Sequence, residues 1–351
     1  MREIHRSRCF AIEEKQMSHR AFIAGCAGLA LHADERAFFA EARPWGLILF
    51  RRNIDHPDQV RALTEAFRDI VGADAAVLVD QEGGRVQRLS APHWPVYPPA
   101  AVFGRAPDDE KLAGCAARLI AEDLLCLGID IDCLPVLDTP TPGAHQIIGD
   151  RAYGDNPADV ARLGRAAALG LMAAGVMPVM KHLPGHGRAL ADSHLELPKV
   201  AASRTELQRD FAPFRANADL PAAMTAHVVY ESIDPLFPAT HSHVVVEEII
   251  RGEIGFDGLL MSDDLSMKAL GDGFFERSAR AFAAGLDLAL HCNGDLLEAG
   301  AVAQAAPLLA GKALERIERA RASVARRFAE APPFDPVEAR AELTSVLAAL
   351  A

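Results

Sequence analysis

The segment KHLPGHGRALADSHLELP, Lys181 to Pro198, gathers His182, His186, His194, Asp192 and Lys181 within eighteen residues. Three kinds of chemistry could use such a set. His182 and His186 have the i,i+4 spacing of a helical metal site, but Pro184, Gly185 and Gly187 oppose a helix there. The glutamate of an HExxH motif is also missing, so no metal is expected. Lys181 could form a Schiff base or simply donate to a ligand oxygen. The donor role is preferred because His182 beside it offers a second donor, although spacing alone leaves the Schiff base open. Asp192-Ser193-His194 has the pattern of a base oriented by a carboxylate: histidine works near neutral pH, and aspartate fixes its tautomer and stabilises its cation. The alternative is a set of polar residues on an exposed loop.

Groups of this kind act only if the fold brings them to one place. Short apolar runs recur along the chain at residues 21–31, 46–50, 75–80, 128–138, 176–181, 222–228, 258–263 and 285–292. Nearly continuous hydrophobicity means burial on both faces, hence parallel strands under helices. Amphipathic stretches lie between them, such as PDQVRALTEAFRDIV and NPADVARLGRAAALGLMAAG. The second opens with Asn156 as N-cap, Pro157 in the first turn and Asp159 to complete a capping box. Eight such units predict a single-domain (β/α)8 barrel. A doubly wound sheet lacks its GxGxxG turn after the first strand. Further helices follow, the last opened by Asp335-Pro336.

Barrel active sites lie at the C-terminal ends of the strands. Here those ends read Asp80, Asp138, Lys181-His182, His227, Asp263-Asp264 and His291. Charge at the end of an apolar strand is costly unless paired or functional. One or two such residues could be structural; the whole set predicts a catalytic pocket.

Composition narrows the class. The 351 residues are half hydrophobic and carry a formal net charge of −12, without an acidic tail. That balance disfavours nucleic acid and anionic membranes as partners and favours small molecules. The six cysteines form no CxxC pair, as expected of reduced thiols in a cytoplasmic protein. IAGC, Ile23 to Cys26, imitates a lipoprotein box, but His19 and Arg20 leave no room for an apolar signal core. No apolar run is long enough to span a bilayer. Residues 1–16 are expected to be a disordered leader and 17–351 one domain, since no repeat or linker interrupts the pattern.

KHLPGHGRALADSH resembles the signature of the NagZ-type β-N-acetylhexosaminidases of glycoside hydrolase family 3. GLILFRRNI (46–54), LVDQEGGRVQRL (78–89), PVLDT (135–139), IIGDRAYG (147–154), MTAHVVY (224–230), LLMSDDLSMKAL (259–270) and GLDLALHCNG (285–294) resemble further family segments, in family order. Leu183 stands where the family commonly has Phe, a change of packing rather than of chemistry.

The resemblance implies a retaining exo-glycosidase without cofactor. Asp263 would be the nucleophile, a choice over Asp264 that spacing alone does not make. His194 would be the general acid/base with Asp192 as its partner, in place of the usual second carboxylate. Asp80, Arg88, Arg151, Lys181 and His182 would bind the N-acetylglucosamine ring. The implied substrate is a short glycan or muropeptide, GlcNAc-1,6-anhydro-MurNAc of peptidoglycan recycling. Few aromatics, with two tryptophans, agree with a short ligand rather than a polysaccharide laid along stacking platforms. The enzyme is expected to be monomeric. A histidine acid/base leaves the site less negative than a glutamate would, so phosphate could replace water in the second step.

Overall fold

Eight short and almost wholly buried strands run parallel and close on themselves: β1 (Arg20–Gly25), β2 (Pro44–Leu49), β3 (Ala76–Val79), β4 (Ile131–Asp132), β5 (Met177–Leu183), β6 (Ala222–Thr225), β7 (Leu259–Asp264) and β8 (Leu288–His291). Each pairs with its neighbours in chain order, and β1 pairs with β8 through Phe22 opposite Ala289 and Ala24 opposite His291. The computed structural model describes residues 19–106, 108–189 and 197–350. The predicted (β/α)8 barrel is therefore observed, with all eight strands inside or beside the expected runs. The 1–16 leader lies outside the described residues.

The expected fourth run, 128–138, pairs as a strand only over Ile131–Asp132. Pro135 has no amide hydrogen to give to a ladder. Beyond it the chain stays tied to β5 through Lys181 N to Pro135 O (3.0 Å) and Leu137 N to Lys181 O (2.8 Å). Asp138 thus remains at the strand-end level.

The helices are α1 (Ala33–Ala42), α2 (Pro57–Val71), α3 (Asp109–Leu125), α4 (Pro157–Ala174), α5 (Arg204–Arg215), α6 (Phe274–Ala284), α7 (Leu296–Ala305), α8 (Gly311–Glu330) and α9 (Pro336–Leu350). Between β6 and β7 the turn is a π-helix, Val245–Glu253, which hydrophobic spacing does not distinguish from an α-helix. In α4, Asn156 accepts the Ala158 amide at 2.9 Å as predicted. Asp159 does not close a capping box; it pairs with Arg162 at 3.1 Å. Its side chain is one methylene shorter than the glutamate such a box favours. Asp335 caps α9 through the Val337 and Glu338 amides. That helix is fastened to the barrel by Arg340, 3.0 Å from both Asp123 and the Tyr97 hydroxyl.

Two register shifts shape the rim of the barrel. Between Met180 and Leu183, three steps of β5 match two of β6, from Ala223 to Thr225. Between Met261 and Asp264, three steps of β7 match two of β8, from Leu288 to Leu290. A regular strand turns successive side chains to opposite faces, whereas a bulge inserts a residue and re-aims its neighbours. Both bulges fall where the sequence has adjacent polar residues: Lys181-His182 and Asp263-Asp264.

Candidate active site

At the C-terminal rim, Asp80 follows β3 and meets two cations. Its Oδ1 accepts from Lys181 Nζ at 2.8 Å and its Oδ2 from Arg88 Nη2 at 3.0 Å. Arg88 comes from the short hairpin formed by Gln81–Gly83 and Val86–Gln87. The tight return between those strands needs Gly83 and Gly84, both at positive φ, and a Cβ on Gly83 would lie 2.3 Å from Pro98 O. The Arg88 guanidinium also stacks 5.1 Å from the Phe50 ring centre, at the end of β2.

Lys181 is anchored a second time, by Glu82 Oε1 at 2.6 Å. Glu82 in turn takes Arg151 in a two-point grip, Nε to Oε2 and Nη2 to Oε1, each 2.8 Å. Five side chains from three parts of the chain thus form one chain of alternating charge: Arg88, Asp80, Lys181, Glu82, Arg151. Four of these were predicted site residues. Glu82 was not, although it lies inside LVDQEGGRVQRL. Its signal was present, since a carboxylate two residues beyond a strand-end aspartate sits on the same side of the hairpin.

The electrostatics follow from burial. Removal from water by itself would raise the Asp80 carboxyl, yet Lys181 and Arg88 outweigh it and hold it well below the usual carboxylate range. For Glu82 burial again opposes, and Lys181 with Arg151 brings the value down to about 2. Burial disfavours the Lys181 ammonium, but Asp80 and Glu82 hold it charged well above the ordinary lysine value. A Schiff base needs a neutral amine. Lys181 is therefore a poor nucleophile and a good fixed donor, which decides the choice left open by spacing.

His182 belongs to a second cluster. Its Nδ1 lies 2.6 Å from Asp138 Oδ2. An ionised carboxylate only accepts, so Nδ1 carries the hydrogen and Nε2 is left for a ligand. Asp138 is fully buried, and burial would raise it; His182 and His186 reverse that and keep it low. Its Oδ1 also accepts the backbone amides of His182 (3.2 Å) and His186 (2.6 Å). The turn after β5 is thereby nailed to the rim. His182 and His186 do not share a helix; the first ends a strand and Gly185 at φ +139° turns the chain before the second.

Asp263 stands on the bulge of β7. Its Oδ1 accepts the Asp264 amide at 2.8 Å. Burial alone would raise its pKa, but His227, His182, the Asp264 amide and Lys181 lower it below the ordinary aspartate value. It is ionised at neutral pH, with Lys181, His182 and His227 among the groups that favour its charged form. Asp264 is differently employed: its carboxylate binds the Ser266 amide (2.9 Å) and hydroxyl (2.6 Å) and the Cys292 amide (3.0 Å). Both its oxygens are occupied, by two backbone amides and a hydroxyl, whereas Asp263 accepts the Asp264 amide on one oxygen, which leaves it the less engaged carboxylate of the pair. The loop that follows is tied by Arg277, which reaches the carbonyls of Leu265, Met267, Gly271 and Asp272.

The strand-end set is not uniform. His291 is buried with its ring 5.2 Å from Phe274 and 3.7 Å from Glu298, packed as part of the wall between β8 and α6. The predicted His194 and Asp192 lie outside the described residues. Among the described residues no group of three or more His, Cys, Asp or Glu side chains is arranged to hold a metal ion, and no helix is long and apolar enough to cross a membrane.

Comparisons with known proteins agree on one lineage. The model of the glycosyl hydrolase family 3 N terminal domain matches residues 14–326. A beta-hexosaminidase of Alkalilimnicola ehrlichii is 43% identical over 278 residues, 77% of this chain and 79% of the relative. Among solved structures, NagZ from Neisseria gonorrhoeae in complex with N-trifluoroacetyl-D-glucosamine superposes with a TM-score of 0.75 at 34% identity, covering 90% of this chain and all of the other. A family 3 beta-N-acetylglucosaminidase from Paenibacillus sp. gives a TM-score of 0.80 at 34% identity over 93% of this chain, which spans 64% of that protein's length.

Proposed function

The chain belongs to glycosyl hydrolase family 3, and from that premise we propose that it is a retaining exo-β-N-acetylglucosaminidase. The observation that carries the reading is the juxtaposition of an ionised, bulge-mounted Asp263 with a pocket of fixed donors and acceptors suited to sugar hydroxyls. In this reading Asp80 accepts from ring hydroxyls, while Arg88, Arg151, Lys181 and His182 Nε2 donate to or orient the N-acetylglucosamine unit. Asp263 attacks the anomeric carbon. The bond to the glycosidic oxygen breaks as His194, partnered by Asp192, gives that oxygen a proton. A glycosyl ester on Asp263 results. Water then attacks the same carbon, His194 takes its proton, and the ester bond breaks to free the sugar and the carboxylate.

Two features favour a nucleophilic Asp263 over a merely structural one. Among the described residues its charged form is stabilised by neighbours rather than quenched by a direct salt bridge, and Asp264 performs the structural work beside it. The substrate we assign is a short β-linked glycan, GlcNAc-1,6-anhydro-MurNAc with or without peptide, consumed in cytoplasmic peptidoglycan recycling by a monomeric enzyme. Support for that finer statement is the small number of aromatic platforms and the negative net charge.

The test compares nitrophenol release from the β-N-acetylglucosaminide and the plain β-glucoside, in the wild type and in Asp263→Ala. The proposal expects strong preference for the first substrate and loss of nearly all turnover in the variant. Equal rates on the two sugars would remove the hexosaminidase assignment, and an active Asp263→Ala enzyme would remove the nucleophile. Added phosphate gives the arm for the second reading: formation of GlcNAc-1-phosphate would make the enzyme a phosphorylase on the same residues.

A further inference from the structure

His227, in MTAHVVY, is fully buried at the end of β6 and takes no part in the sugar-binding chain of charges. Its Nε2 lies 3.0 Å from the backbone oxygen of Asp264. A carbonyl only accepts, so Nε2 carries a hydrogen in every charge state. The ring therefore holds the backbone of the residue next to Asp263, at the bulge where β7 leaves regular pairing. On the other side, Nδ1 is 2.8 Å from Thr240 Oγ1, which is itself 2.9 Å from Thr225 Oγ1 and 3.2 Å from Ala226 O.

A hydroxyl has one hydrogen and rotates to suit its partners. With a neutral ring, Thr240 donates to Nδ1 and accepts from Thr225. With a charged ring, Nδ1–H donates to Thr240, whose own hydrogen turns to Ala226 O. Both arrangements leave every polar atom of His227 satisfied, so this buried site can hold either charge without the cost of an unmet group. We propose that His227 is a positioning residue for Asp263, fixing the bulged Asp263–Asp264 peptide through the Asp264 carbonyl and answering the charge of the nucleophile as it forms and loses its ester.

This rests on the assignment of Asp263 as nucleophile. Burial pushes His227 below the ordinary histidine value, and the Asp263 carboxylate pulls it back upward. The groups that face it are Asp263 and Asp264 from β7, His182 from β5 and His241 from the 3-10 turn that carries Thr240. Free Asp263 is an anion and its glycosyl ester is neutral, so the attraction is present before attack and absent afterwards.

The experiment uses three variants of the full chain. His227→Gln retains an amide hydrogen near the position of Nε2 but cannot be charged; His227→Phe fills the space and does neither; Asp263→Ala controls for the underlying assignment. Turnover of nitrophenyl β-N-acetylglucosaminide is followed across pH, together with the rate of covalent labelling of Asp263 by a fluorinated N-acetylglucosaminide read by mass spectrometry. His227→Phe is expected to lower kcat and the labelling rate by about 10²-fold with KM within about twofold, the cost of a small misplacement of a reacting group. His227→Gln should recover at least about tenfold of that loss. In both, the acid limb of kcat/KM should move to higher pH, because Asp263 loses a cation that favoured its ionised form.

Parallel changes in KM and kcat, a labelling rate within twofold of wild type in His227→Phe, or no gain from His227→Gln would overturn the proposal. Should His227→Phe fail to fold, the near-isosteric His227→Gln decides alone: an unmoved acid limb refutes the electrostatic part and hence the proposal. An Asp263→Ala enzyme with full turnover fails differently, by refuting the nucleophile itself.

Discussion

Glu82→Gln offers the sharpest test of how the pocket is held. The substitution keeps shape and volume and deletes one charge from the middle of the chain that links Arg88, Asp80, Lys181, Glu82 and Arg151. Glu82 is buried and holds Lys181 at 2.6 Å and Arg151 through two bonds of 2.8 Å. Removing one partner of a buried pair typically costs about 3–5 kcal/mol. Lys181 keeps Asp80 and Arg151 keeps the carbonyl of Ile147, which places the loss at the lower end. Linkage gives a second route to the magnitude: a carboxyl held at about 2 instead of its ordinary 4.5 contributes about 3 kcal/mol at neutral pH.

The sign follows from the lowered folded-state value. That contribution is complete above the unfolded pKa near 4.5 and is lost as pH falls toward about 2. Urea denaturation of wild type and Glu82→Gln at pH 7 and pH 3 should therefore show a gap of about 3 kcal/mol that shrinks to roughly half. Because Lys181 and Arg151 lose their common anchor, KM for nitrophenyl β-N-acetylglucosaminide should rise by about tenfold or more, with less effect on kcat. A gap of the same size at both pH values would refute the electrostatic reasoning. A variant as stable as wild type at pH 7 would show that the two cations do not need Glu82.

Two further outcomes are expected. His194→Ala should lose about 10²- to 10⁴-fold in turnover on a natural disaccharide, whose leaving group needs a proton, and far less on a nitrophenyl glycoside; steady-state rates on the two substrates measure this, and equal losses would remove His194 as the acid. Gly170→Ala should destabilise the protein by about 2 kcal/mol despite alanine's better helix propensity. A Cβ there would stand 2.2 Å from the backbone oxygen of Gly114 on the helix packed against it, and thermal melting reports the loss while activity at moderate temperature is retained.

Most of the barrel was legible because its signal is repeated: eight apolar runs, six of them with a titratable residue at the last or next-to-last position, admit few arrangements. What escaped was local. The fourth strand is shorter than its hydrophobic run because Pro135 interrupts the ladder, and the π-helix 245–253 has the same amphipathic look as an α-helix. In the site, Asp80, Arg88, Arg151, Lys181 and His182 were named from strand ends and motif resemblance, and the structure links the first four, by way of Glu82, through ion pairs. Glu82 escaped because its role depends on who stands across the rim, which no spacing along the chain expresses. The choice of Asp263 over Asp264 came from the family resemblance, since spacing does not make it; the amides and hydroxyl bound by the Asp264 carboxylate give that residue a structural task. His291, expected with the rim set, turned out to be packing against Phe274.

The linked ion pairs of the pocket floor also bear on how this enzyme can change over evolutionary time. Each charge there is tolerated because the next one neutralises it, so a single codon change at any of the five positions takes an ion partner from at least one neighbour. A lineage drifting toward a different sugar would have to replace members two at a time, or pass through an intermediate that folds poorly. The outer loops are tied by more exposed pairs, such as Arg85 with Asp150, whose loss costs little. Under the proposed function, adaptation to new aglycones is therefore open to gradual mutation, whereas the ion-paired floor is inherited almost as a block.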